Sequence, residues 1–340
     1  MHGRNYLSLE SGISIMINEK RLEDKMEVMS LEEATALVRD EVNRILLKAP
    51  LIIREYTKHL MTSRGKFIRA TSVMLCAEDK EGKIKADAVK IAAAIELLHL
   101  ATLVHDDIID NADLRRGEVT LQKKYGKRTA VICGDYLLSV SLRLATSLQN
   151  KKDYVELNLP DYVGRVCLGE LNQHLNNGNI GLSIYRYLKI ISGKTAALFE
   201  ASYMAGAIFC GCEEKEMKQY KQLGYYVGMI FQLTDDCIDF EDTVESAFKP
   251  VQSDYEQGVI TLPLIHALDQ QDELKSKALS QGLTRIEINE AVKKTGGIGF
   301  TKLMVQKYHA KSMKLIEKLD VAEAKREKLI GVLNKAARLA

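Results

Sequence analysis

An all-α fold is the architecture this sequence predicts, and three observations predict it. Only 4 Pro occur among 340 residues, at Pro50, Pro160, Pro250 and Pro263. The long stretches between them are rich in Ala, Leu, Lys and Glu, which suit helices. Apolar residues recur at spacings of three and four, and no segment sustains the alternation of a half-buried strand.

The elements follow in order. Residues 1–30 read as a poorly patterned N-terminal extension, and Leu31–Leu47 as a first amphipathic helix. A charged turn over Asp79–Gly82 leads into Ala86–Asp110. Its run Ile91–Val104 is the most apolar in the chain. Glu96 and His99 interrupt that run, and it is too short to span a bilayer. It reads instead as a helix buried on nearly every side, so any membrane contact is peripheral. Thr129–Leu148 and Tyr220–Phe240 predict further helices, with a loop at Asn176–Gly181 and a break at Gly296-Gly297. Length alone suggests about two domains, but two acidic motifs need each other, so residues 31–340 read as one helical domain.

Lys and Arg number 48 against 46 Asp and Glu. That balance argues against a nucleic-acid partner and leaves room for a local basic pocket. The 6 Cys lack a metal-finger spacing. Cys210 and Cys212 form a C-x-C pair that reads as two reduced thiols, as expected of a cytoplasmic protein. The short apolar run Ile13–Ile17 lacks the features of a secretory signal.

The chemistry lies in two repeats of D-D-x-x-D. One is Asp106-Asp107-Ile108-Ile109-Asp110; the other is Asp235-Asp236-Cys237-Ile238-Asp239. In a helix the first and last acid of each share one face. A single copy is most simply a solvated helix end. Two copies, each ending an apolar helix, bunch like charges that need a cation nearby. Carboxylates are hard ligands suited to Mg²⁺, which keeps some waters and also binds substrate phosphates.

The flanks carry cations. Arg115-Arg116 follow the first motif, and guanidinium groups suit phosphate oxygens. Lys194-Thr195 and the pair Lys66 and Arg69 add more. Taken singly, each is most simply a surface charge. The triplet Gly193-Lys194-Thr195 is no P-loop, because the upstream Gly and the preceding strand are missing.

Together these residues resemble the trans-isoprenyl diphosphate synthase family, in particular the catalytic subunit of hexaprenyl and heptaprenyl diphosphate synthases. Glu96-Leu97-Leu98-His99 through Arg116-Gly117 is similar to the family's first acidic region, and Phe231 through Phe240 to its second. Gly134-Asp135-Tyr136, Gly169-Glu170-Leu171-Asn172-Gln173, Gly193-Lys194-Thr195, Lys249-Pro250, Asp254 and Thr261-Leu262-Pro263 match further blocks in order. The resemblance is dense from residue 60 to 270.

The resemblance implies antiparallel helices around a deep central cavity, usually as a homodimer. It implies Mg²⁺ held by Asp106, Asp107 and Asp110 on one wall and by Asp235, with Asp236 and Asp239, on the other. It places an allylic diphosphate, farnesyl or geranylgeranyl, against Arg115, Lys194, Thr195, Gln232 and Lys249. Isopentenyl diphosphate falls to Lys66, Arg69, His99 and Arg116. Asp106, Asp107, Asp110, Arg115, Lys194, Asp235 and Asp236 carry catalysis in this reading. This sequence departs at Arg64 and Phe67, where the family has Gly and Arg, and at Phe248, where it has Gly.

The implied chemistry is ionisation of the allylic diphosphate, attack by the isopentenyl double bond and loss of a proton to the released diphosphate. The growing tail runs from Asp106 toward the helix N-terminus, past Thr102 and Ala101 to Leu98. In this family a bulky aromatic at that level stops growth. The small Ala101 therefore predicts a product longer than farnesyl, in the hexaprenyl to octaprenyl range, with geranylgeranyl the alternative. A class I terpene cyclase and a subunit that needs a separate partner are the rival readings. Cyclases pair one D-D-x-x-D with a different metal triad, and non-catalytic subunits lose the acids that this chain keeps.

Overall fold

The computed structural model describes residues 29–62, 65–241, 255 and 258–339. Residues 1–28, Arg64, Phe248, Lys249, Pro250 and Asp254 lie outside the described residues, so the expectations placed on them have no structural account.

The first helix, α1 (Leu31–Leu47), starts at a capping box. The Ser30 hydroxyl accepts from the Glu33 N–H at 3.2 Å, and the Glu33 carboxylate accepts from the Ser30 N–H at 2.8 Å. After Pro50 comes α2 (Leu51–His59), then α3 (Ile68–Ala77). α3 has no side-chain cap of its own, and Phe67 before it lies in the left-handed region at φ 52°. α4 (Ala86–Ile109) covers 24 residues.

A hairpin follows, formed by β1 (Leu114–Arg115) and β2 (Glu118–Val119). Strands this short leave no alternating pattern, which is why sequence periodicity did not predict them. The turn puts Arg116 at φ 53° and Gly117 at φ 80°, the double positive φ of two-residue hairpins.

The chain continues through α5 (Leu121–Tyr125), α6 (Lys127–Thr146), α7 (Lys151–Leu157), α8 (Leu159–Leu175) and α9 (Ile184–Ile191). One π-helical turn, Ser192–Ala196, joins α9 to α10 (Ala197–Cys210). α11 (Glu214–Glu241) is the longest helix described, at 28 residues. α12 (Leu262–Gln270), α13 (Asp272–Gln281), α14 (Arg285–Thr295), α15 (Gly297–Ile316) and α16 (Glu323–Ala337) complete the described chain.

α4 is the central helix. α6, α1, α3 and α10 pack around it, and α11 packs on α10, the π-turn and α15. α4 is long and apolar enough to cross a membrane by composition, yet 67% of its most apolar window is buried inside the fold. Val89, Ile91, Ile95, Leu97, Leu98 and Val104 all point into protein. Each such side chain contributes about 1.5–3 kcal/mol relative to exposure. Its polar C-terminal end emerges where α8, α9, α11 and the π-turn meet.

Candidate active site

Both acidic motifs occupy helix C-termini. Asp110 is the C-cap of α4, and Asp235, Asp236 and Asp239 lie in the last two turns of α11. The C-terminus is the negative end of a helix dipole, so carboxylates there are destabilised until a cation arrives. Asp106, Asp110 and Gln232 line one cavity of about 580 Å³. Glu170 and Lys194 line it too, and Ile109, Val166, Leu171, Ile191 and Val259 make much of the remaining wall apolar.

Glycines bring two walls together. A Cβ on Gly169 would lie 2.3 Å from the Lys194 backbone nitrogen, and one on Gly193 would lie 2.9 Å from the Arg165 carbonyl oxygen. Without side chains, α8 and the π-turn touch backbone to backbone. The next residue on each, Glu170 and Lys194, then pair at 2.9 Å.

The electrostatics follow from this crowding. Burial, then Glu170, push the Asp106 carboxyl up to about 7 against the pull of Lys194 and Arg115. Burial also raises Asp107 and Asp110 above the ordinary carboxylate range. Burial pulls the Lys194 ammonium down, but Glu170, Asp106 and Asp110 outweigh it and hold it above its usual value. Asp107 accepts a hydrogen bond from Arg115 Nε at 2.7 Å. The hairpin thereby ties Arg115 to the first motif.

The second motif divides its labour. Asp236 is 1% exposed. Its Oδ1 accepts from the Gln232 amide at 3.0 Å, and its Oδ2 accepts from the Tyr187 hydroxyl. The Thr195 hydroxyl donates to the Gln232 carbonyl oxygen at 2.7 Å. A relay Thr195–Gln232–Asp236–Tyr187 thus spans the π-turn, α11 and α9. Sequence had placed Asp236 among the metal ligands. Here each of its oxygens also accepts a hydrogen bond, so it orients Gln232 and Tyr187 as well. Asp235 is exposed, with Oδ1 3.9 Å from the Arg338 guanidinium.

The expected isopentenyl-binding residues gather behind the first motif. Arg116 extends from the hairpin toward Gly65, where a Cβ would lie 3.2 Å from its guanidinium. Arg69 stacks over the Phe199 ring at 4.6 Å, and burial pulls it down to about 10. Burial, reinforced by Arg69, Arg116 and Arg115, holds His99 well below its ordinary value. It is therefore a neutral imidazole. Lys66 is exposed beside them. The Phe67 ring, which replaces a family cation, carries the Arg39 guanidinium at 5.1 Å.

Thr102 lines the cavity. Ala101 and Leu98 are each 2% exposed and pack into the core behind it. Sequence reading missed Glu170, Tyr187 and Glu96 as parts of the site. Glu170 sat inside a matched block. Tyr187 left no local signal, since its partner lies 49 residues away.

No three carboxylate, imidazole or thiolate groups are already gathered at metal-binding distance among the described residues. The donor set nevertheless fits Mg²⁺. That ion favours one or two carboxylates completed by water and substrate phosphates over an all-protein cage. Asp106 and Asp110 line the charged end of the cavity together, two carboxylates that can share an ion completed by water and phosphate oxygens.

Comparison with known proteins agrees with this geometry. The polyprenyl synthetase family profile matches residues 50–295. Heptaprenyl diphosphate synthase component 2 of Geobacillus stearothermophilus is 35% identical over 302 residues, covering 87% of this chain and 92% of the relative. Octaprenyl diphosphate synthase of Escherichia coli K12 is 31% identical, covering 92% and 99%. The crystal structure of heptaprenyl diphosphate synthase from Staphylococcus aureus superposes with a TM-score of 0.84 at 30% identity, covering 92% and 99%.

Proposed function

The chain belongs to the polyprenyl synthetase family, and from that premise we propose how its cavity builds a long prenyl chain. It is a prenyltransferase, a trans-polyprenyl diphosphate synthase of the long-chain kind. It joins isopentenyl diphosphate to an allylic diphosphate, with products in the hexaprenyl to octaprenyl range. One observation carries this reading. Asp106, Asp110 and Lys194 share a cavity of about 580 Å³ whose remaining wall is largely apolar. A diphosphate head fits the charged end, and a hydrocarbon tail fits the rest.

In this proposal Asp106 and Asp110, with Asp235 on the facing helix, hold Mg²⁺, which supplies positive charge to the departing diphosphate. Lys194 and Arg115 add fixed cations at the same end, where charge builds as the C–O bond breaks. The Thr195–Gln232–Asp236–Tyr187 relay fixes the Gln232 amide against the cavity wall. The apolar lining excludes water from the allylic cation. Arg69, Arg116, Lys66 and the neutral His99 hold isopentenyl diphosphate with its double bond toward that cation. The outgoing diphosphate accepts the proton that is lost.

A second chain belongs to the proposal. Leu168 and Leu175 form an exposed apolar stripe on α8, 65% and 70% exposed. Such a stripe supports burial against a homodimer mate or a separate subunit. The component 2 name of the Geobacillus stearothermophilus relative supports the latter. The single-domain organisation and a cytoplasmic setting are further parts of this reading.

The test is incubation of purified protein with farnesyl diphosphate, labelled isopentenyl diphosphate and Mg²⁺, followed by sizing of the dephosphorylated products. A ladder beyond C20 is expected, and Asp106→Ala and Asp235→Ala each should lose about 10²–10³-fold in rate. A ladder that stops at C20 would overturn the chain length and keep the chemistry. Inactivity alone, rescued by an added second subunit, would favour the heteromeric form.

A further inference from the structure

α3 begins without a cap of its own, because Phe67 has neither hydroxyl nor carboxylate to offer. The first N–H groups of a helix need acceptors. The Ala70 N–H finds one in Glu96 Oε1, which reaches across from α4 at 2.9 Å. Ala70 directly follows Arg69. Glu96 therefore does for α3 what an N-cap side chain ordinarily does, from 26 residues away.

The surroundings make this carboxylate conspicuous. Burial pushes it above the ordinary range, and the Ala70 hydrogen bond, Arg69 and Arg116 pull it back. Arg69 stacks on Phe199, and its Nε is buried without a hydrogen-bond partner among the described residues. A carboxylate repels a diphosphate, so direct substrate contact is no reason for Glu96 to be there. Anchoring the start of the helix that carries Arg69 is a reason.

We propose that Glu96 is a positioning residue of the isopentenyl diphosphate site, capping α3 across the bundle so that Arg69 meets the diphosphate. The proposal rests on the synthase reading above.

Four proteins test it: wild type, Glu96→Ala, Glu96→Asp and Glu96→Gln. Each is measured for KM of isopentenyl diphosphate, KM of farnesyl diphosphate, kcat and Tm. Glu96→Ala removes the acceptor and should raise the isopentenyl KM about tenfold, the effect of one lost hydrogen bond. The farnesyl KM should change less than twofold. Glu96→Asp keeps the charge but is one methylene short of Ala70, and should behave like Glu96→Ala. Glu96→Gln keeps an acceptor oxygen at the same reach and should restore most of the affinity.

An isopentenyl KM within twofold of wild type in Glu96→Ala overturns the proposal. So does a loss in Glu96→Gln as large as in Glu96→Ala. Equal damage to both KM values in step with a lower Tm would make Glu96 a purely structural residue and also overturn it. Wild-type inactivity would instead strike the synthase reading. Calorimetric binding of isopentenyl diphosphate to the same four proteins then reads the same contrast.

Discussion

The Lys194 ammonium lies 2.9 Å from the Glu170 carboxylate, and it does so because the residue before each is glycine. Gly169→Ala would put a Cβ 2.3 Å from the Lys194 backbone nitrogen, against main chain that cannot swing aside. α8 and the π-turn must separate. Overpacking of this kind costs about 1–3 kcal/mol, so the denaturant midpoint should fall. The Lys194 ammonium should also leave the cavity end, lowering kcat/KM for the allylic substrate about tenfold, on the scale of one charge-assisted contact. A variant with wild-type stability and kinetics would show that the two segments slide apart at no cost.

Metal binding should depend on pH through Asp106. Its carboxyl, pushed up to about 7 by burial and Glu170, is largely protonated below neutrality in the metal-free protein. The sign is that of a raised acid. Its ionisation costs folding free energy, a penalty absent below the usual carboxylate range near ~4 and complete above the folded value. A cation that displaces the proton removes the penalty. Mg²⁺ should therefore raise Tm more at pH 8 than at pH 6. Glu170→Gln removes a charge that raises Asp106, so the onset should move to lower pH. Thermal scans with and without Mg²⁺ read both, and a pH-independent gain would remove Asp106 from the metal site.

The helices were legible because each needs only local information. Leu31–Leu47 and the start of the central helix at Ala86 agree with the described bounds, and Gly296 ends α14 with φ at 71° as a glycine break predicts. α11 begins at Glu214, several residues before the apolar pattern predicts, because its first turn is mostly charged and exposed and only Met217 there is buried. The acidic and basic residues were legible as chemistry but not as partnerships. Nothing local marks Glu96 as the cap of α3, since the missing signal is a poor residue at Phe67 and the remedy sits in another helix. Likewise, D-D-x-x-D spacing gives three equal acids. Only packing shows that Asp107 faces Arg115 and Asp236 faces Tyr187.

Tyr187→Phe tests that division of labour. It removes the hydroxyl donor from a carboxylate that is 1% exposed and leaves the ring in place. A hydrogen bond to a charged group contributes about 1.5–3 kcal/mol. Asp236 then turns more fully toward Gln232 and draws it from Thr195. The expected result is a lower Tm and a kcat reduced several-fold, with Mg²⁺ affinity close to wild type. Loss of Mg²⁺ affinity as severe as in Asp235→Ala would instead show that the Tyr187 hydrogen bond holds Asp236 for the metal.

Product length should respond to Thr102 more directly than to Ala101. Thr102 is half-buried on the cavity wall, one helical turn before Asp106. Ala101 is 2% exposed and sits in close-packed core. Thr102→Phe would place a ring across the space through which a tail leaves the charged end. Elongation should then stop at a shorter chain while the first condensation keeps its rate, because the diphosphate contacts lie on the other side. Ala101→Phe must force its ring among packed helices, which costs about 1–3 kcal/mol, so stability should fall whether or not length changes. Sizing the products of both variants separates the two positions. A full-length ladder from Thr102→Phe would mean that the tail leaves by another wall, with Leu171 on α8 the next position to fill.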